Sequence, residues 1–346
     1  MRRVLLGCVL FAILIVPVNA AEFTAPTVPK SGEAFFPYEQ EDFSAGLWSI
    51  ITEAMASFMP SFFDAAQSGA RIIAMVLLFV VVKNMCGGSV KVVELATTIA
   101  IAGLLLEPSN MMIRMGAETI KELHEYSKLL MPVLTTAMAA QGGITTSSAL
   151  YMGTMALDTF LSSVVNTLLV PMVYVYLCIS TASCAIGEEM LKRLNGTIKS
   201  AMTWLLKTVL YVFTGFMGVT GVVSGSADAA ALKATKLTIS GAVPVVGSIL
   251  SDASEAILVG TGIMKSTIGV YGVLAILAIW IGPFVKIGAQ YILMKGVCAL
   301  TEMLNAKQAG ELMNHFSSAM GLLLAMTSTV CLLLLISVIC FMKGIN

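Results

Sequence analysis

Long uncharged runs dominate the pattern of hydrophobic and polar positions along this chain. Residues 129–157 contain no Asp, Glu, Lys or Arg, residues 159–187 contain none either, and Asp158 alone separates the two runs. Three further runs have the same character: residues 208–227, 266–285 and 312–342. Because ~20 apolar residues in a helix cross the ~30 Å hydrocarbon core of a bilayer, each run is long enough to span a membrane. The pattern predicts an all-α, polytopic integral membrane protein.

The composition agrees with this prediction. Hydrophobic residues make up 58% of the 346 residues and charged residues only 12%, and the mean hydropathy is +0.91. A soluble domain usually carries about 25% charged residues, so this chain has too little polar surface to cover a globule in water. The 20 basic and 20 acidic residues cancel, and no basic patch indicates a nucleic-acid partner.

The N-terminus has the pattern of a secretory signal peptide over residues 1–20. Arg2 and Arg3 precede an apolar stretch at residues 4–16, and small residues suitable for cleavage follow at 18–20. An uncleaved membrane anchor is the alternative interpretation. Either one places the following segment outside the cytoplasm.

Residues 21–70 form a predicted acidic arm outside the cytoplasm. They contain seven acidic residues and a single base, Lys30, and scarcity of Lys and Arg is typical of translocated segments. Three prolines predict an extended linker in the first part, and residues 47–63 are apolar enough to form a helix lying on the membrane surface. The remaining residues, 71–346, form the predicted multi-spanning domain.

Charged residues predict which loops face the cytoplasm. Residues 72–82 enter the membrane, Lys83 and Lys91 flank a loop without acids, and residues 92–106 return outward. Residues 107–128 carry mixed charges with apolar positions at helical spacing, which predicts a separate amphipathic helix lying outside.

A re-entrant hairpin is predicted within residues 129–157. The basic loop at residues 188–199 belongs inside, so the preceding run ends inside and Asp158 lies outside or in a polar cavity. Residues 129–157 then begin and end on the same side, and their polar, glycine-containing centre at 141–148 predicts two half-helices joined by a turn. The alternative is an ordinary loop, which changes the side assignments.

Several polar and glycine residues inside the runs are candidates for function or packing. Besides Asp158, Lys207 and Lys286 lie near membrane depth, where snorkelling to the interface competes with a role in an ion pathway. A helix-packing face is predicted from small residues along one helix, and its members are Gly215, Gly218, Gly221 and Gly225. That face fits contacts within the chain or with another copy.

The C-terminal topology depends on whether residues 287–300 cross the membrane. Residues 266–285 run inward to Pro283 and Lys286, and residues 320–342 form the predicted last span. If residues 287–300 cross, the tail is cytoplasmic, and this is the arrangement we favour from the sequence.

A second hairpin is predicted at residues 233–252, where a basic helix end is followed by an apolar turn and a polar helix start. A capped surface loop is the alternative. The candidate functional residues of this hairpin are Lys233, Lys236, Pro244, Gly247, Ser251 and Asp252.

The segment at 233–252, together with Pro132 and the Gly142-Gly143 pair, resembles the stage III sporulation protein AE family. The resemblance extends from about Phe62 to the C-terminus. It implies a multi-pass protein of the mother-cell membrane around the forespore. It also implies partners in a channel complex between the two cells, including a separate ATPase. The family has no established catalytic residues to carry over.

The residues themselves indicate no enzyme. The two histidines, His124 and His315, do not form a His-Glu-x-x-His zinc pair, and neither a Gly-x-Ser-x-Gly elbow nor a phosphate-binding loop occurs. We therefore predict no catalytic residue, cofactor, metal or disulfide. Asp158 and Asp252 fit ordinary loop or helix-cap positions better than an intramembrane aspartyl pair.

Three functions remain as hypotheses. The first is a permease-like or channel-forming subunit, based on the broken helices and the intramembrane polar residues. The second is a non-conducting scaffold that docks other subunits, based on the acidic arm and the glycine face. The third is an intramembrane enzyme, for which the sequence offers no catalytic residues. Expected partners are membrane lipid, the other subunits and another copy of the chain.

Overall fold

A computed structural model describes residues 26–38, 43–85, 90–140, 144–219 and 267–344. Its elements are helices, without a strand among these residues. In chain order they are α1 (Lys30–Glu33), α2 (Phe43–Met85), α3 (Val90–Ala140), α4 (Ile144–Val164), a π-helical turn (Val165–Leu169), α5 (Val170–Ile186), α6 (Glu189–Val219), α7 (Thr267–Met303) and α8 (Lys307–Gly344). The predicted all-α fold is confirmed.

Five stretches of helix in the described residues are long and apolar enough to cross a membrane. They are Phe43–Val82, Val92–Ala137, Leu150–Ile186, Ile268–Met303 and Lys307–Met342. The helix α6 is more amphipathic, because Lys192, Arg193, Lys199 and Lys207 recur along it.

Three pairs of helix ends lie together at one end of the bundle, here called the basic end. They are the end of α2 with the start of α3, the end of α5 with the start of α6, and the end of α7 with the start of α8. A hydrogen bond from Gln308 Nε2 to Glu94 Oε2 (3.3 Å) and an ion pair between Lys192 and Glu311 (3.6 Å) tie these regions to one another. At the α5–α6 connection Gly187 ends the helix in the left-handed conformation (φ 78°), which glycine adopts without steric cost. The opposite end is here called the distal end.

Helix α8 lies at the centre of the bundle. It packs against α3, α4, α5, α6 and α7, and residues 319–342 are all buried except for half-buried Ile336. Since this stretch is apolar on every side, it is suited to a position surrounded by other helices. The core of the described bundle is thus filled by protein.

Several predicted boundaries are wrong because the helices continue through them. The stretches at 47–63 and 72–82 belong to the single helix α2, which also runs through residues 70 and 71. Residues 92–106 and 107–128 are both part of α3, and α7 continues through Pro283 to Met303. A change from apolar to charged side chains alters the surroundings that suit that part of a helix. It does not end the helix, because ending a helix requires a turn-forming sequence.

The predicted break between the two uncharged runs is present, but the half-helices are not. Helix α3 ends at Ala140, just before the polar centre at 141–148, and α4 begins at Ile144 within that centre. The flanking helices extend 51 residues back to Val90 and onward through the π-helical turn to Ile186, so each arm is a long helix. Re-entry as a short hairpin of half-helices is therefore wrong.

The last described residue of α8, Gly344, lies at the distal end, because this helix starts at the basic end and runs without interruption to that residue. Residues 287–300 complete α7, so they are not the separate crossing on which the cytoplasmic tail depended. The side of the membrane on which the tail lies stays a prediction.

The first described residues are docked on the bundle and do not form an extended linker as predicted. Val28, Gly32 and Phe36 are buried, and the ring centroid of Phe36 lies 4.7 Å from that of Tyr271. A β-carbon on Gly32 would lie 3.0 Å from the backbone nitrogen of Ile279. This segment, residues 26–38, is called the arm from here on. It is held in place because its apolar residues cover a surface of α7 that would otherwise be exposed.

Candidate functional site

A buried polar network connects α5, α6 and α8. Asn195 Nδ2 donates to Ser180 Oγ (2.7 Å) and lies 3.1 Å from His315 Nδ1, and the Tyr176 hydroxyl also lies 3.0 Å from this nitrogen. With the Asn195 amide in this orientation its nitrogen can only donate, so His315 Nδ1 acts as the acceptor and the ring proton lies on Nε2. Such a network fixes the three helices at one relative position.

Among the described residues, a polar groove lies next to this network, between α6 and α7. These two helices share no extensive contact, and one face of α8 forms the floor between them. The four residues of that face are exposed or half-buried and follow helical spacing: Lys307, Glu311, Asn314 and Ser318. From the walls, Lys199 Nζ of α6 donates to Ser318 Oγ (3.1 Å) and Lys295 Nζ of α7 donates to Asn314 Oδ1 (2.7 Å).

The charges of the polar groove change with depth. Near the basic end Lys192 is paired with Glu311 (3.6 Å) and Glu189 (3.8 Å). Further in, neither Lys199 nor Lys295 forms a salt bridge with any of the described residues. Among the described residues, the deeper part of the groove therefore carries two lysines without a paired carboxylate, which favours anions.

Two positions on the walls of the polar groove face open space at this level. A β-carbon on Gly196 of α6 or on Gly296 of α7 would meet no described heavy atom within 4 Å. Lys199 lies 11 residues after Glu188, about 16 Å along the helix axis from the basic end. A membrane boundary at the basic end would place Lys199 about halfway through the hydrocarbon core.

A second buried polar pair lies nearer the distal end. His124 Nδ1 of α3 and Asp158 Oδ2 of α4 are 2.7 Å apart, and the Asp158 side chain has no exposed surface. The other carboxylate oxygen, Oδ1, is buried and has no hydrogen-bond partner among the described residues. The loop or helix-cap position expected for Asp158 is wrong, because the residue lies inside a continuous helix whose buried face it shares with Thr154 and Leu161.

The other predicted residues are not brought together. Lys207 and Lys286 are exposed on α6 and α7, and neither forms a salt bridge with the described residues. Gly215 and Gly218 are on α6, and a β-carbon on Gly215 would meet no described atom within 4 Å. The remaining candidates lie outside the described residues: Gly221, Gly225, Lys233, Lys236, Pro244, Gly247, Ser251 and Asp252.

The polar network and the groove were missed at the sequence level, although a signal was present. Asn195 and Lys199 are one helical turn apart, and the four residues of the α8 face follow 4-3-4 spacing from Lys307 to Ser318. Polar residues at helical spacing inside an apolar protein indicate a polar face. The sequence rules out a zinc pair that includes His315. It does not reveal the hydrogen bonds of this residue, because their partners lie on two other helices.

An apolar groove of about 880 Å³ lies on the outer surface between α3 and α5. Leu95, Ile99 and Leu106 line one side and Leu177 and Ala185 the other. At one end the Tyr174 hydroxyl donates to Asn110 Oδ1 (2.6 Å). Exposed apolar surface of this kind is usually covered by lipid chains or by a partner helix.

No metal site is evident in the part of the chain that the structure describes. Three or more His, Cys, Asp or Glu side chains do not converge anywhere in these residues. His315 faces hydroxyl and amide groups, and His124 faces a single carboxylate. These arrangements suit hydrogen bonding and charge compensation.

Comparison with known proteins identifies the relatives of this chain. The sequence profile of the stage III sporulation protein AE family matches residues 33–344. The stage III sporulation protein AE of Bacillus subtilis (strain 168) is 20% identical over 201 residues, which cover 58% of this chain and 50% of that protein. No solved structure matches the chain. Since the profile covers nearly the whole sequence, the chain belongs to the stage III sporulation protein AE family.

Proposed function

We propose that this chain is a transport subunit of a membrane complex required for spore formation, and that its polar groove forms one wall of a conduit. Family membership supports the role in sporulation. The second wall is supplied by another subunit or a second copy. By resemblance to the family, the site of action is the mother-cell membrane around the forespore, and a separate ATPase is among the partners.

The observation that carries this proposal is the pair Lys199 and Lys295 in the polar groove, which we place at membrane depth. Both ammonium groups reach hydrogen-bonding residues on α8, and neither is neutralised by a carboxylate of the described residues. A charged side chain facing lipid at this depth costs at least ~2.5–3.5 kcal/mol, so such residues usually face a water-filled path or a polar partner.

The filled centre of the bundle supports a conduit formed between subunits. Helix α8 fills the centre of the described bundle, and the polar groove lies on the outer surface of these described helices. The sequence has no phosphate-binding loop, so directed transport draws energy from a partner or from an existing gradient.

A non-conducting scaffold is the second candidate function. The apolar groove between α3 and α5 and the exposed Gly215 of α6 favour it, because both leave close-packing surfaces open for other subunits. A scaffold and a transport subunit differ in one respect. Only the transport subunit requires the lysines of the polar groove for solute passage.

Flux measurements on liposomes containing the assembled complex test the proposal. We expect the Lys199→Gln/Lys295→Gln variant to assemble normally but to release a trapped anionic dye several-fold more slowly. The matched control is Lys207→Gln/Lys286→Gln, which removes two exposed lysines from the same helices and should release dye at the unmodified rate. Normal flux through the assembled Lys199/Lys295 variant would exclude the conduit and favour the scaffold.

A further inference from the structure

The two most apolar parts of the chain are covered by protein and require no contact with lipid. Residues 272–280 of α7 and residues 319–342 of α8 are buried apart from half-buried Ile336. Helix α7 packs against the arm, α2, α3 and α8. Helix α8 packs against α3, α4, α5, α6 and α7. The hydropathy of these segments is explained by burial in a protein core, so it does not place them in the bilayer.

The arm gives the first indication of what surrounds this part of the bundle. Residues 26–29 and 34–38 have no regular helix, and they lie against α7 at Tyr271 and Ile279. Within the arm, Lys30 and Glu33 are exposed. Irregular backbone facing lipid does not occur in the hydrocarbon region, because its N–H and C=O groups would lack partners. The surface at this level therefore faces water.

A charged stripe on α3 gives the second, independent indication. Five exposed side chains recur at intervals of three and four residues: Arg114, Glu118, Lys121, Glu125 and Lys128. Gly116 of the same helix lies beside Leu323 and Thr327, so the stripe runs alongside the buried apolar part of α8. Five exposed charges in one row are incompatible with a lipid-facing surface.

The outer surface of α2 and α3 becomes apolar towards the basic end. Between residues 92 and 106 of α3 the only charged side chain is Glu94, and Val92, Leu95 and Ile99 are exposed. On α2 the uncharged run 72–82 exposes Leu77 and Leu78. The 18 residues of α3 from Val90 to Glu107 extend about 27 Å, close to the ~30 Å of the hydrocarbon core.

We infer that the bilayer surrounds only the basic-end half of the bundle, with its outer boundary near Glu107. The distal half, including the most apolar segments of α7 and α8, forms a water-exposed layer outside the cytoplasm. The lipid partner is the hydrocarbon of the bilayer, which covers α2 and α3 below this boundary. The inference concerns membrane position and does not depend on solute transport.

Cysteine accessibility tests this boundary in intact protoplasts of non-sporulating cells that express the chain, in which its extracytoplasmic side faces the medium. Single cysteines replace Glu33, Glu118 and Lys128 on the distal half and Leu95 and Ile99 on the basic-end half. The seven native cysteines are first changed to alanine. We expect an impermeant maleimide to label the first three positions to the extent seen after denaturation, and to leave the last two unlabelled until detergent is added.

Two outcomes would overturn the inference. Protection of Glu118→Cys until detergent is added would place the charged stripe in lipid. Labelling of that cysteine only after lysis would place the distal half in the cytoplasm. Because a cysteine variant can misfold, the same positions are spin-labelled in purified protein in nanodiscs. Collisions with an aqueous nickel complex should exceed collisions with oxygen at residue 118 and fall below them at residue 95.

Discussion

His124 and Asp158 meet at 2.7 Å although they lie on different helices and 34 residues apart. Their contact closes the α3–α4 hairpin, and the carboxylate has no exposed surface. A charge in such a position is tolerated only when it is compensated by a partner. The two residues are therefore energetically coupled.

Removing only one member of this pair should destabilise the protein strongly. His124→Leu leaves Asp158 buried without a partner, and we expect a loss of about 3–5 kcal/mol in the free energy of unfolding. Chemical unfolding in detergent measures this loss. Glu125→Gln, an exposed neighbour on α3, is the control and should change stability by less than about 0.5 kcal/mol. Equal stability of the two variants would show that the pair does not hold the hairpin.

Gly153 and Gly215 form a matched test of packing at the distal end. A β-carbon on Gly153 would overlap the ring of Phe216, whereas one on Gly215 would meet no described atom within 4 Å. We expect Gly153→Val to cost about 1–3 kcal/mol and Gly153→Val/Phe216→Ala to recover part of the loss. Gly215→Val should leave the isolated chain unchanged. If it instead weakens recovery of partners in pull-downs, the face at Gly215 contacts another subunit.

Docking of the arm should depend on Gly32. A larger residue there meets the backbone of α7 at Ile279, which cannot move aside as a flexible side chain would. We predict that Gly32→Leu releases the arm and makes residues 26–38 sensitive to protease in purified protein. Gly103→Leu, at a position without a described neighbour within 4 Å, should leave the arm resistant. Protection of the arm in both variants would contradict the docked arrangement.

An apolar stripe on the distal half of α2 should bind another subunit. Trp48, Met55 and Phe63 are exposed by 67–73% of their surface, and Glu53 and Asp64 lie among them. If this half of the bundle is in water, such a stripe is expected to be covered in the complex. Met55→Glu should reduce recovery of partner subunits, while Glu53→Gln should not. Unchanged recovery with Met55→Glu would indicate a free surface.

The segment at 233–252 lies outside the described residues, and its importance stays a prediction from sequence. Pro244 fixes one backbone angle and Gly247 permits angles that other residues resist. Gly247→Val should lower the yield of heat-resistant spores while the protein still inserts into the membrane. A normal spore yield would show that the turn tolerates variation.

The sequence predicted helix type and the main breaks well, because these depend on local features. Long apolar runs, the polar centre after Ala140 and the glycine at 187 all act within a few residues. The continuity of α2, α3 and α7 was missed because a change in surface character was taken for a boundary. Apolar residues of α8 were interpreted as facing lipid, and hydropathy cannot distinguish lipid contact from burial among other helices.

The candidate site was harder to predict, because its residues come from distant parts of the chain. Asn195 meets His315, and Asp158 meets His124, only after the helices have packed in register. Asp158 was recognised as unusual since it interrupts an uncharged run. Its partner was not recognised, because His124 lies in a segment expected to be separate from the bundle.

Docking of the arm on α7 also sets an order of events during synthesis. Gly32 contacts Ile279, which is 247 residues further along the chain (279 − 32 = 247). At translation rates of roughly 5–20 residues per second, the arm waits on the order of 10–50 s before its binding site has been made. During that interval its apolar residues are accessible to chaperones, proteases and neighbouring subunits. Maturation of this protein therefore includes a window, closed only by the last two helices, in which another protein can capture the arm first.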